Sequence, residues 1–280
     1  LKYSSLLALI SSSFISSQTY AAECATGASP SDSCTIDVSN TTYTLTGDIN
    51  TNTTDNIIDF GVGANSNTLN FIGDITSEGL DARAFSFSDN DGNTLTMTGN
   101  IITEGNAAEG IKLFPGVTNA NIDMTGNIAT SGLNADGIGL DTSDSNTIDM
   151  TGNITTTNSL SYGMYVYGSD SNTINMTGNI ITSGLSTAGI GLDGSDSNTI
   201  NMTGNISTSG NFGYGIYIDE DLDGSDSNTI NMTGDISTSG SNAYGFVSES
   251  SDSNNITVTG DITTSGTDAY GVYILTSNDN

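Results

Sequence analysis

Asp219, Asp221, Asp223 and Gly224 carry the Asp-x-Asp-x-Asp-Gly spacing of a calcium loop, where alternate carboxylates converge on one ion and glycine allows the sharp turn. The twelfth position of that loop is Ile230 instead of a bidentate Glu. The stretch therefore reads as a solvated acidic corner, and no metal site is expected in it. Further carboxylates recur at Asp144, Asp170, Asp196, Asp226 and Asp252, and a pair of acids is all that glycoside hydrolysis needs. An acid repeated at one position of successive units is more naturally a solvated corner than half of a catalytic dyad. A catalytic cluster should break the repeat, and the acidic residues 219–223 are where the sequence breaks it. Cys24 and Cys34 are the only cysteines; in an oxidising compartment they are expected to close one small disulfide loop around Pro30. Two cysteines with no histidine cannot build a structural zinc site.

Composition narrows the chemistry further. The chain has no His and no Trp, Arg83 is its one Arg, and Lys2 and Lys112 are its only Lys. A Ser-His-Asp protease, a Cys-His nucleophile and a His-ligated metal centre are all excluded within this stretch. The 32 carboxylates against three cations leave a formal net charge of −29, which repels nucleic acid and anionic lipid surfaces. No catalytic residue, cofactor or metal ligand is assigned, and the chain is expected not to be an enzyme.

The elements that hold these groups are read from a repeated glycine. Gly47, Gly73, Gly99, Gly126, Gly152, Gly178, Gly204, Gly234 and Gly260 follow one another at 26, 26, 27, 26, 26, 26, 30 and 26 residues. A fixed period of this size marks a solenoid, whose units bury apolar side chains only by stacking. Around Gly178 stand Ile174, Met176 and Ile180 at alternate positions, with polar Thr173, Asn175 and Thr177 between them. Alternation with period two means strand, not helix. A second apolar pair follows twelve and fourteen residues past the glycine, as at Ile190 and Leu192 or Ile216 and Ile218. The fold class is therefore all-β, a parallel β-helix of about nine 26-residue turns with at least two inward strands per turn. Neighbouring strands lie about 4.8 Å apart, so nine turns make a rod of roughly 43 Å.

Like residues then form ladders. Six of the seven Met share one inward position and are core filling, since thioethers adapt to irregular gaps. Asn146, Asn172, Asn198, Asn228 and Asn254 are expected to stack as an amide ladder just outside the core. The Thr-Ser-Gly runs at 182–184, 208–210 and 238–240 are expected to make corners through glycines of positive φ.

In chain order, residues 1–21 read as an export signal, with Lys2, the apolar Leu6–Ile10 core and Thr19-Tyr20-Ala21 before the cleavage point. Residues 22–40 form a disulfide-closed N-terminal cap, and 41–280 form the repeats, incomplete at the C-terminus. Ile57-Ile58-Asp59-Phe60 is out of phase by about one residue. Phe114-Pro115-Gly116 lies in the 27-residue unit, where a bulged corner absorbs the extra residue. The four extra residues of the 30-residue unit fall within 218–224 and leave the rod as a loop.

The export signal followed by units of the form Ser-Asp-Ser-Asn-Thr-Ile-Asn-Met-Thr-Gly-Asn-Ile-Ser-Thr-Ser-Gly, with Ala-Tyr-Gly at 243–245 and 269–271, resembles the repetitive passenger region of bacterial autotransporters. The resemblance covers about residues 41–280. It implies a type V secretion passenger, carried across the outer membrane by a C-terminal β-barrel that this chain lacks, and displayed at the cell surface or released. It implies adhesin-like binding to a glycan or a host or cell-surface receptor, or a spacer role. Two other readings stay open: a secreted β-helical enzyme that degrades polysaccharide, resting on Asp219, Asp221 or Asp223, and an ice-binding solenoid using the outward Thr173, Asn175 and Thr177 columns.

Overall fold

The structure, a computed structural model, describes residues 34–219 and 224–275. It is an all-β parallel β-helix of about nine turns. Its strands assemble into three parallel sheets of ten, nine and nine strands, here sheets A, B and C. No helix among the described residues is long and apolar enough to cross a membrane. Turns are numbered one to nine by the repeated glycines, Gly47 to Gly260.

Turn six shows why these residues fold this way. Thr173–Thr177 is a strand of sheet B whose Ile174 and Met176 are buried while its threonines face out. Gly178 then takes a φ of +145°, and a Cβ there would lie 2.0 Å from the Gly152 carbonyl oxygen of the turn below. Only glycine fits that approach. The chain bends through Gly178 and Asn179 into Ile180–Thr182 of sheet C, so the apolar residues on the two sides of the glycine belong to different sheets. The alternation visible in the sequence is thus two strands on two faces, and Ala188–Asp193 of sheet A makes the third.

The inner ladders hold register from turn to turn. Met97, Met124, Met150, Met176, Met202 and Met232 pair in sequence along sheet B, all at 3 % exposure or less. At the inner end of sheet C the ladder turns polar. Thr208 and Thr238 are buried there, and each hydroxyl donates to a carbonyl five residues on, Gly213 and Ala243, at 3.0 Å. Those bonds close the corner between sheets C and A and satisfy a polar group that water does not reach.

The Thr-Ser-Gly corners differ from expectation. Gly184 is not at positive φ; it is required because a Cβ would stand 1.8 Å from the Asn158 carbonyl oxygen. The positive φ falls two residues later, on Ser186, and likewise on Phe212 and Asn242. The asparagine ladder also sits deeper than expected: Asn146, Asn172, Asn198, Asn228 and Asn254 are all 3 % exposed or less. Each amide clamps the turn below. Asn172 accepts the Asn146 N–H at 2.8 Å and donates to the Ser143 carbonyl at 2.8 Å. Beside it runs a ladder of buried serines, in which the N–H of Ser143, Ser169 and Ser195 donates to the hydroxyl of Ser169, Ser195 and Ser225.

Departures from the period are absorbed where the sequence places them. Strand register is 26 residues at Phe87–Leu113 but 27 at Asp91–Thr118, so the extra residue lies in the Phe114-Pro115-Gly116-Val117 corner. There Ala120 replaces the ladder asparagine, and the Asn90 carbonyl is met by the Thr118 N–H instead. Ile58 pairs with Phe85 at 27 residues, the one-residue phase shift of turn one. Register is 26 at Asp193–Asp219 and 30 from Ser195 to Ser225, which brackets the insertion. Cys34–Ile36, inside the segment read as a cap, is the first strand of sheet A.

Candidate functional site on one outer face

The three outer faces differ in chemistry. Sheet B presents small polar groups, in turns five to eight Thr at both flanks and Asp or Asn in the middle, where the Asn175 amide donates to Asp149 at 2.7 Å and Asn201 donates to Asn175 at 2.8 Å. The corner acids form another chain: the N–H of Asp170 and Asp196 donates to the carboxylate of Asp144 and Asp170 at 2.8 Å. Asp144, Asp170 and Asp196 are exposed, the solvated corner expected of them. Each carboxylate there serves the backbone of its neighbour, which is a structural use and not a dyad.

Sheet A is where the repeat departs from uniformity. From turn two onward, the residues ten and thirteen past the glycine lie on the outer side of this sheet, as does the residue after the second inward position. In turn seven Ile216 and Ile218 are buried, while Tyr214, Tyr217 and Asp219 face out. Stacking the turns converts these offsets into columns. Over turns two to four the columns hold charge, and in turns five, seven, eight and nine they hold phenols.

The charged part gathers both cations of the described residues. Arg83 Nε lies 2.7 Å from Glu109 Oε2, and Lys112 Nζ lies 3.7 Å from Glu109 Oε1. Phe114 from the bulged corner covers them, with the Arg83 guanidinium 4.9 Å and the Lys112 ammonium 5.8 Å from the ring centre. Glu109, Asp136 and Lys112 are 5 %, 6 % and 9 % exposed. Burial pushes the Asp136 carboxyl up to about 7, opposed by the Tyr162 N–H it accepts and by Lys112, and reinforced by the charge of Glu109. Asp59, two turns below Lys112 in the same column, is also raised by burial, against hydrogen bonds from Ser86 and Asn56. A desolvated carboxylate holds its proton more tightly for the reason that its charge has lost water.

The phenolic part contains eight of the eleven tyrosines. Tyr162 and Tyr165 stack at 4.6 Å in turn five, and Tyr214 and Tyr217 at 5.1 Å in turn seven. Tyr214, Tyr244 and Tyr270 continue as a column with rings 5.6 and 5.3 Å apart. Between the first two pairs, Ala188 and Gly191 leave room that Tyr162 and Tyr165 lean across; a Cβ on Gly191 would meet the Tyr162 ring at 2.9 Å. Acids border the rings. The Tyr165 hydroxyl donates to Asp193 at 2.9 Å, and the Tyr217 hydroxyl donates to Asp219. Burial, then the neighbouring carboxylate, raises Tyr165 and Tyr217 well above the usual phenol range, and burial first raises Tyr162 to about 12. These phenols stay neutral donors at any physiological pH. Each stacked pair contributes roughly 0.5–1.5 kcal/mol beyond its area.

Of the residues singled out from sequence, Asp219 ends a sheet A strand and is held by Tyr217, while Asp221 and Asp223 lie outside the described residues. Cys34 is buried at the start of its strand; Cys24, with which the sequence pairs it, lies outside the described residues, as do 1–33 as a whole. The tyrosine columns and the Arg83–Glu109–Lys112–Asp136 cluster were not anticipated. Their signal was present, since Arg83, Glu109, Asp136, Tyr162, Tyr214, Tyr244 and Tyr270 all stand ten residues past a repeated glycine. Compared with family models, with curated proteins and with solved structures, the chain gives no match, so its assignment as a parallel β-solenoid rests on its own geometry.

Proposed function

We propose that this chain is an exported, non-enzymatic rod of the autotransporter passenger type, displayed at the cell surface or released, which binds or spaces through its outer faces. The observation that carries this reading is the sidedness of the solenoid: sheet B repeats an outward Thr-Asn-Thr set in turns six to eight, and sheet A gathers the tyrosines on one face. Identical groups at about 4.8 Å intervals suit weak contacts that add by multivalency. The export-type N-terminus and the scarcity of cysteine agree with passage through a secretion pore. The test is proteolysis of intact cells that express the whole gene. Digestion of the repeats without cell lysis is expected; a rod protected until lysis refutes surface display, unless it is recovered intact from the medium.

A polysaccharide-degrading reading has one observation in its favour, the two dehydrated carboxylates Glu109 and Asp136 beside Lys112. Release of reducing ends from a glycan panel, lost in Asp136→Asn, would establish it. The same groups serve folding as a closed ion cluster under Phe114. That use accounts for their burial.

A further inference from the structure

We propose that the corner between sheets C and A over turns four to seven is a self-association surface, on which two copies of this chain pack antiparallel about a two-fold axis lying across the rod between turns five and six. The inference goes beyond surface display and does not rest on it.

One large apolar side chain stands out at this corner in each of the four turns. They are Leu133, Leu160, Leu185 and Phe212, at 41, 49, 50 and 45 % exposure. The corner is a continuous stack: the N–H groups of Asn134, Leu160 and Ser186 donate to the carbonyls of Ser159, Leu185 and Asn211 at 3.1, 3.0 and 3.0 Å. The four side chains alternate between the seventh and the eighth residue past the glycine, and the position beside each holds a small polar residue, Asn134, Ser159, Ser186 or Asn211. Knobs and gaps therefore alternate along the rod at about 4.8 Å per turn. Leu160 and Phe212 carry a φ of +56° and +53°, where Asn134, Ser186 and Asn242 stand in other turns. Left-handed backbone is unfavourable for a bulky residue, so local conformation does not select these two. Core packing does not select them either, because they face solvent. An apolar stripe of this kind marks a contact surface.

Charge selects the occupant. Residues 127–135, 153–161, 179–187 and 205–213 run through sheet C and this corner in the four turns, and they contain no Asp, Glu, Lys or Arg. Acids return on both sides, with Glu104 in turn three and Asp235 in turn eight, both exposed. A chain of net charge −29 repels its own copy, and this stretch lets two copies meet without opposed carboxylates. A charged partner gains nothing from it. An axis across the rod sets turn four against turn seven and turn five against turn six. Each apolar side chain then faces a small polar position, Leu133 over the second copy's Asn211 and Leu160 over the second copy's Ser186. Ile181, 44 % exposed on the outside of sheet C, comes within one turn of its own symmetry mate. A surface that fits itself in this way is what a two-fold interface requires. The antiparallel pair keeps uncharged sheet C over uncharged sheet C, whereas a parallel pair would turn sheet C of one copy onto sheet A of the other. Four turns give a patch of roughly 19 Å along the rod, short of the area of stable complexes, so the dimer is a weak one in the micromolar range.

Sedimentation equilibrium of the full chain, from about 1 to 300 µM at 50 and 500 mM salt, reads the association. A monomer–dimer equilibrium is expected that tightens at least threefold at the higher salt, since salt screens the repulsion of two acidic chains and leaves the apolar contact in place. Leu160→Asn/Leu185→Asn/Phe212→Asn introduces a residue that neighbouring turns already hold at this corner, and it is expected to weaken the dimer at least tenfold. Val62→Ser/Ile72→Thr, which removes exposed apolar side chains elsewhere, should weaken it less than threefold. Asn134→Asp/Asn211→Lys reads the orientation: the antiparallel pair brings Asp to Lys twice and should tighten at 50 mM salt, whereas a parallel pair sets like charge against like. A chain that stays monomeric at both salts, with or without binding of an uncharged hexasaccharide at the corner, overturns the proposal. A dimer that weakens with salt, equal losses in the two apolar variants, or an orientation variant that does not tighten overturns it as well. Should the triple variant fail to fold, Leu185→Asn alone gives the comparison, with at least a threefold loss expected. The measurement uses purified protein, so its failure is separate from a failure of surface display.

Discussion

Replacing Asn198 by Ala tests whether the inner amide ladder holds the turns together. Asn198 is 1 % exposed. Its Oδ1 accepts the Asn172 N–H at 2.8 Å, and its Nδ2 donates to the Ser169 carbonyl at 2.8 Å. Alanine removes both partners from a corner that water does not enter, where an unmet buried group costs about 1–3 kcal/mol. The expected loss is therefore about 2–6 kcal/mol. Asn201 is the control: its amide also bonds along the rod, to Asn175 at 2.8 Å, but on the half-buried outer face of sheet B, so Asn201→Ala should cost less than about 1 kcal/mol. Urea unfolding followed by circular dichroism measures both, fitted with nearest-neighbour coupling because stacked repeats need not unfold as one unit. Hydrogen exchange at the Asn172 amide adds a local readout, with protection lost in Asn198→Ala. Equal losses for the two variants, or an Asn172 amide as protected as in the parent chain, would falsify the argument.

Three further outcomes follow from the same geometry. Asp136 holds its proton up to about 7 when folded, against an ordinary carboxyl value of 3.8, so its contribution is favourable at low pH and is lost as pH rises between those values; the difference is at most about 4 kcal/mol. Asp136→Asn should flatten the stability profile between pH 4 and pH 7 and raise the urea midpoint at pH 8, and an unchanged slope would show that the carboxyl is not desolvated. Gly178→Ala puts a Cβ 2.0 Å from the Gly152 carbonyl oxygen at a φ of +145°, so it should cost more than about 2 kcal/mol, whereas an alanine tolerated there would mean the corner backbone shifts freely. Met176→Leu should change stability by less than about 1.5 kcal/mol while Met176→Ala loses about 2–5 kcal/mol, read from urea midpoints; a large loss for both would assign the thioether a role beyond filling space.

What could be read from the sequence alone was everything that a fixed period imposes. Stacking turns of equal length brings residues one period apart into register, so the Met ladder, the Ile ladders and the places where 27- and 30-residue units must deform followed from counting between glycines. Only the tertiary structure decided what lies across the chain and not along it. Whether the residues flanking Gly178 share a sheet depends on the bend at the glycine, and the carbonyl of the turn below that comes too close there for any Cβ is a contact no local pattern displays. The burial of Asn172 was hidden for a similar reason: a polar residue points inward when its amide can meet two backbone groups of another turn, and those partners are 26 and 29 residues away. The outer face of sheet A was the furthest from view. Tyr214, Tyr217 and Asp219 look like ordinary loop and strand residues in one turn, and they become a surface when the corners aim three columns the same way and their neighbours in the stack dehydrate them.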